Sequence, residues 1–114
     1  MRLPVKLSLV YMTAGSLDEA KKIGRILVEQ NLVACVNILE NMTSIYKWRD
    51  KLEEDQEVII IAKTRRKLMQ KLTETVNSLH SYDRACILEM PIQGGDNDFM
   101  NWIEAVTAEK EERQ

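Results

Sequence analysis

Histidine occurs once in the 114 residues, at His80, so a zinc centre of the usual Cys and His type cannot be assembled within one chain. No CxxC pair is present to begin one. Cysteine is nearly as scarce: Cys35 and Cys86 lie far apart in apolar, strand-like contexts, which predicts free buried thiols in a reducing compartment and no disulfide. A surplus of basic charge is also missing. Sixteen Lys and Arg stand against eighteen Asp and Glu, a net charge of -2, which excludes the positive field that draws nucleic acid or an anionic membrane surface. No apolar run approaches the roughly 20 residues of a membrane span. The longest is Val58-Ile59-Ile60-Ile61-Ala62. Met1-Arg2-Leu3-Pro4 leads straight into an alternating pattern without the features of a signal peptide, so the expected location is cytoplasmic. A Gly-rich phosphate loop, a nucleophile elbow and any Ser-His-Asp or Cys-His pairing are absent, and the chain is not expected to be an enzyme.

What is present suits one domain over 1–114, since 45% hydrophobic content in a chain of this length supports a single core without staples. Val5, Leu7, Leu9 and Tyr11 alternate with Lys6, Ser8, Val10 and Met12, which predicts a first strand. Ser16 and Glu19 have capping-box spacing, and Ala20, Ile23 and Leu27 continue at helical period to Asn31, a residue suited to a left-handed C-terminal position. Gly24 lowers helix propensity by about 1 kcal/mol and implies close approach to a sheet. Ala34 to Leu39, a bulge at Glu40-Asn41-Met42, and Thr43 to Trp48 form a second strand. Arg49-Asp50-Lys51 turns the chain into a third, Leu52 to Thr64, polar at first and wholly apolar later. Thr64 is expected to cap a second helix with the stripe Leu68, Leu72, Val76 and Leu79. After the loop His80 to Arg84, a fourth strand runs from Ala85 to Met90 and stops at Pro91. Asn97 or Asp98 caps a third helix with Phe99, Trp102, Ile103 and Val106 on one face, and 107–114 is a charged tail expected to fray.

The order β-α-β-β-α-β with an added C-terminal helix predicts an α+β fold of the ferredoxin-like split βαβ type, an antiparallel sheet with helices on one face. A helix of about 14 residues spans roughly 21 Å, whereas strands of about 13 residues span roughly 43 Å, so the central hairpin must protrude. Its far end carries Ile45, Tyr46, Trp48 and Leu52, an apolar patch with open strand edges, which predicts a homo-oligomer that uses the hairpin as interface.

Thr13-Ala14, Ala34-Cys35-Val36-Asn37, Thr43 to Trp48, Lys51-Leu52-Glu53 with Glu57, Lys63-Thr64-Arg65, Pro91-Ile92 with Gly95, and Asn101-Trp102-Ile103 form a colinear set from about Leu7 to Thr107. In these segments the chain resembles the CutA divalent-cation tolerance proteins. The resemblance implies a ferredoxin-like subunit in a tight homotrimer whose hairpins pair across subunits, a link to copper and other divalent metals in bacteria, and in animals an association with localisation of acetylcholinesterase. Metal positions proposed for some bacterial members fall on Met12, Leu79 and His80, of which only the histidine is kept. The family's His-Pro-Tyr-x-x-Pro-Glu stretch reads His80-Ser81-Tyr82-Asp83-Arg84-Ala85-Cys86, without either proline or the Glu.

Three site hypotheses follow. Met12, His80 and Cys86 supply thioether, imidazole and thiolate, a set suited to weak copper binding if the fold joins strand ends and loop. Burial as ordinary core residues is the competing and commoner fate of the Met and the Cys, as an exposed loop is for the His. A trimeric small-molecule sensor would use clefts between subunits, lined by Tyr82, Arg84 and Lys63. A structural or anchoring trimer is the third. Glu53 to Glu57 lacks the Gly and spacing of a calcium loop and is expected to be solvated strand charge. An RNA-recognition surface is excluded because the third strand, Val58 to Ile61, offers no aromatic.

Overall fold

The computed structural model of the protein describes residues 4–108. Strand β1 (Leu7–Ala14) lies inside a four-stranded antiparallel sheet of order β2-β3-β1-β4. Helix α1 (Leu17–Glu29) follows β1, and the long strands β2 (Cys35–Trp48) and β3 (Lys51–Arg65) form the central hairpin. A 3-10 turn at Arg66–Leu68 leads to α2 (Met69–Leu79), then come β4 (Ile87–Ile92) and α3 (Asn97–Val106). This is the ferredoxin-like α+β arrangement. No helix of the described residues is long and apolar enough to cross a membrane.

Both faces of β1 are used. Val10, Met12 and Ala14 meet Ile60 and Ala62 beneath Ala20, Ile23 and Leu27 of α1 and Leu72 and Val76 of α2. The expected placement of all helices on one face is corrected by α3. Its Ile103 packs with Leu7 and Ala34, next to Ile92, on the opposite face of the sheet. The apolar face expected for α3 is also narrower: Ile103 is buried, while Phe99 and Trp102 remain exposed with their rings 5.5 Å apart. The rest of that sheet face is apolar and uncovered among the described residues, with Leu9, Tyr11, Ile59 and Ile61 half-buried and Leu39, Leu88 and Met90 exposed.

Local chemistry accounts for the ends of α1. The Ser16 hydroxyl accepts from the Glu19 N–H at 3.1 Å, and Glu19 reaches back to accept from the Gly15 N–H at 3.1 Å, the expected capping box. Asn31 (φ 58°) closes the other end in a Schellman arrangement, with Leu32 N–H donating to the Leu27 carbonyl and Asn31 N–H to that of Val28. Gly24 faces Val36 so closely that a Cβ there would come within 2.8 Å of Val36 Cγ2.

Other expected boundaries shift for identifiable reasons. Thr64 does not cap α2, because its hydroxyl donates to the Leu32 carbonyl at 2.6 Å inside the core and the 3-10 turn intervenes. Asp96, not Asn97 or Asp98, caps α3, accepting from the Phe99 N–H at 2.9 Å from an extended backbone. Pro91 does not stop β4, which runs on to Ile92. Among the described residues the strand lies at the edge of the sheet and pairs with β1 alone, a position where proline is tolerated. Of the expected tail, Thr107 and Ala108 are buried, the Thr107 hydroxyl donating to the Ile103 carbonyl at 2.7 Å. Residues 109–114 lie outside the described residues.

The hairpin protrudes as expected. β3 pairs with β1 only from Val58 onward, while Met42↔Glu57 to Trp48↔Lys51 continue as a two-stranded ribbon. Seven rungs at about 3.3 Å make an overhang of roughly 23 Å, and the molecule measures 54 × 25 × 22 Å. Glu40 and Asn41 (φ 63°) together oppose Val58, the bulge expected there. The tip is a two-residue turn in which both Arg49 (φ 52°) and Asp50 (φ 65°) are left-handed, the conformation of a type I′ hairpin.

Candidate functional site

A concavity of about 770 Å³ lies between the hairpin and the loop from His80 to Cys86. The register of the ribbon builds one wall. Tyr46 pairs with Glu53, Ser44 with Asp55 and Met42 with Glu57, so the alternate residues Glu53, Asp55 and Glu57 share one face with Tyr46 and Trp48. Tyr82, Asp83, Arg84 and Cys86 form the other wall, and Thr13 lies at its base.

Two phenols tie carboxylates in place. Tyr46 donates to Asp55, and Tyr82 donates to Glu57 at 3.1 Å. The Tyr82 phenol is pushed up to about 12, by burial first and then by its bond to Glu57, since ionisation would set a second anion against the carboxylate. The Tyr46 phenol also rises to about 12, chiefly through the hydrogen bond to Asp55. Burial pushes the Cys86 thiol up, against a lowering contact with the Thr13 hydroxyl, which opposes a reactive thiolate.

His80 holds the loop. Its Nε2 lies 2.7 Å from the Thr13 carbonyl oxygen, which can only accept, while Nδ1 accepts from the Tyr82 N–H at 3.1 Å. The geometry therefore fixes the Nε2–H tautomer and uses both ring nitrogens. Glu19 reinforces the clamp: its carboxylate accepts from the Ser81 N–H at 2.8 Å and lies 3.9 Å from His80 Nδ1. Burial raises the Glu19 pKa, but bonds from Ser81 and Gly15 and the proximity of His80 outweigh it, and the net direction is down.

The set expected to share copper does not converge. Met12 pairs with Ile87 on the face covered by α1 and α2 and is 1% exposed. Cys86 lines the cleft on the other face beside Thr13, and the His80 side chain, also 1% exposed, has no nitrogen lone pair to spare. Among the described residues, no group of three or more His, Cys, Asp or Glu side chains is placed to hold a metal ion. These residues do not fit a resident copper ion. Tyr82 and Arg84 line this concavity within the single chain, whereas Lys63 lies along the sheet and donates to Asn37. Ile45, Tyr46, Trp48 and Leu52 are all exposed on the ribbon.

Glu53, Asp55, Glu57 and Asp83 were missed as cleft residues by sequence reasoning, and Glu19 as the loop clamp. The period-two spacing of the first three was visible. Which face they shared depended on the bulge register and on a loop about 25 residues away in the chain.

The family model described as CutA1 divalent ion tolerance protein matches residues 8–106. The chain belongs to the CutA1 family. Protein CutA of Mus musculus is 39% identical over 104 residues, covering 91% of this chain and 59% of its own length. The chain thus spans about three fifths of that mammalian relative. The divalent-cation tolerance protein CutA of Thermus thermophilus is 39% identical over 94 residues, 82% of this chain and 91% of the relative. The crystal structure of CutA1 from Oryza sativa superposes with a TM-score of 0.90 at 34% identity, covering 93% of this chain and 97% of that one. Family membership supplies the divalent-cation context, while Met12, His80 and Cys86 do not converge on one point.

Proposed function

We propose that this CutA1-family protein works as a homotrimer in the response to divalent cations, copper among them, and that it does so as an assembly and not through a metal centre built inside one chain. The observation that carries this reading is the uncovered apolar surface. Leu9, Tyr11, Ile59, Ile61, Leu39, Leu88 and Met90 line one sheet face, Trp48 continues that face along the ribbon, and Ile45 and Leu52 lie on the ribbon's other face, all three exposed among the described residues. Contiguous apolar area of this kind, with open strand edges, is a subunit interface in proteins that stay in solution. Free Cys35 and Cys86, on or beside the two opposite edge strands, support residence in a reducing compartment.

Size exclusion with light scattering tests the assembly, and a mass of 13.2 kDa at micromolar concentration would end the reading. Elemental analysis of the native and copper-loaded protein tests the cation link. The expected metal content is unaffected by Met12→Leu, because that thioether is enclosed in the core. Retained copper that disappears with Met12→Leu would restore the set rejected above.

A second reading, ligand sensing in clefts between subunits, is favoured by Tyr82 and Arg84 on one wall of the cleft. A metabolite thermal-shift screen compared between wild type and Arg84→Ala tests it.

A further inference from the structure

At the end of the sheet away from the hairpin tip, Val5 and Lys6 lead into β1, and Arg65, Arg66 and Lys67 carry the chain out of β3. Antiparallel pairing sets these two segments side by side, with Leu7 opposite Arg65 and the Arg66 N–H donating to the Lys6 carbonyl at 2.9 Å. Four cations from distant parts of the sequence are thereby brought to one place. They and Val5 line a pocket of about 540 Å³, and none of these lining residues is acidic.

Composition does not supply such a concentration of positive charge, since the chain as a whole carries -2. Like charges gathered together repel, which weakens the folded state unless an anion offsets the repulsion. The four also differ in depth. Lys6, Arg66 and Lys67 are exposed, whereas Arg65 is 5% exposed. A guanidinium so enclosed is screened less than a surface ammonium, and its planar fork matches two oxygens of one phosphate. Arg65 and Lys67 are each engaged in a further interaction, so a ligand meets side chains that are already ordered and less freedom is lost on binding.

We propose that this pocket binds a small, soluble phosphate compound of more than one negative charge, with Arg65 at the back and Lys6 and Arg66 closing on it from the two segments. The volume falls in the range of small-molecule sites and exceeds what a monatomic anion fills. Arginine supplies paired, directional hydrogen bonds and lysine a point charge, a division of labour suited to phosphate oxygens. The pocket shares no residue with the cleft at Tyr82 to Arg84, and the proposal does not depend on the assembly. A bound phosphate would bridge the start of β1 to the end of β3 and stabilise the chain by mass action.

Isothermal titration of the full chain with sodium pyrophosphate at fixed ionic strength tests the site. One saturable event per chain is expected, with a rise in melting temperature. Lys6→Gln/Arg66→Gln removes two exposed cations and should weaken binding on the order of tenfold, with unchanged circular dichroism. Arg65→Lys keeps the charge, loses the fork and should also weaken it. Lys21→Gln/Arg25→Gln, on exposed α1, makes the same charge change outside the pocket and should leave the affinity within about twofold. Vesicles of phosphatidylcholine containing phosphatidic acid present phosphate on a surface, and should bind no better through Lys6 and Arg66 than through Lys21 and Arg25, because Arg65 lies too deep for a headgroup held in a bilayer. No saturable heat with pyrophosphate would overturn the site, as would equal weakening by the two double variants, the mark of a diffuse field. Vesicle binding that needs Lys6 and Arg66, without pyrophosphate binding, would overturn the soluble ligand in favour of a lipid headgroup.

Discussion

Glu19 accepts the Ser81 N–H at 2.8 Å and the Gly15 N–H at 3.1 Å, so one carboxylate joins the start of α1 to the loop after α2. Its folded pKa is lowered, and a lowered carboxyl contributes stability above its unfolded value that is lost as the pH falls through the folded one. Stability should therefore drop below about pH 4.5, the ordinary value for this group. Urea midpoints from neutral to acid pH check this, and Glu19→Gln should reduce the acid slope. An identical slope in the variant would remove Glu19 from the acid response.

Tyr82 gives the opposite limb. A phenol raised from 10.0 to about 12 contributes stability below pH 10 and loses it as the pH climbs toward about 12. Tyr82→Phe should flatten the alkaline decline in melting temperature while preserving the ring contact with His80, whose centroid lies 4.8 Å away. Ultraviolet difference titration of the phenols, wild type against variant, should show one late-ionising group fewer.

Gly24→Ala sets helix propensity against packing. Alanine would gain about 1 kcal/mol in an unconstrained helix, but its Cβ would lie 2.8 Å from Val36 Cγ2, on a β-branched side chain with little freedom to withdraw. Packing should win, with net destabilisation of about 1 to 3 kcal/mol in urea unfolding. A stabilised variant would mean that α1 can lift from β2 at negligible cost.

Trp48 remains 58% exposed within its own chain. Covering the rest of a side chain that buries roughly 150 to 250 Å² is worth about 2 to 4 kcal/mol at 25 cal/mol per Å². Trp48→Ala should lower the melting temperature more at low protein concentration than at high, because mass action supports the oligomer. Glu54→Ala, on the opposite face of the ribbon, should change stability by less than about 0.5 kcal/mol. Equal shifts at all concentrations would place Trp48 in the stability of the single chain.

The elements were legible where the signal was local. Ser16 with Glu19, Asn31, the bulge at Asn41 and the turn at Arg49-Asp50 all lie where backbone chemistry puts them. Misreadings arose where a distant partner decided. Thr64 suits a cap by type, but the Leu32 carbonyl claims its hydroxyl, and Pro91 suits a strand terminator until β4 is known to be an edge. At the site, Tyr82 and Arg84 could be picked from a loop sequence, whereas the carboxylates facing them could not. That pairing exists only once β3 and the loop before β4 lie side by side. Met12 shows the converse. Adjacent in sequence to Thr13, it turns to the other face, a consequence of strand geometry that removes it from any shared centre with Cys86.

The position of β1 also bears on how the chain is made. Although first in sequence, β1 bonds on one side to β3 and on the other to β4, with Leu7 opposite Arg65 and Ile92. During synthesis at about 5 to 20 residues per second, its first edge waits seconds for β3, and its second waits until roughly 80 further residues have been made. Until β3 and α2 have been made, Val10, Met12 and Ala14, which end fully enclosed, have only α1 to cover them. The nascent chain is therefore at its most aggregation-prone early and becomes safe late, and folding helpers that bind short extended apolar segments should engage it near β1.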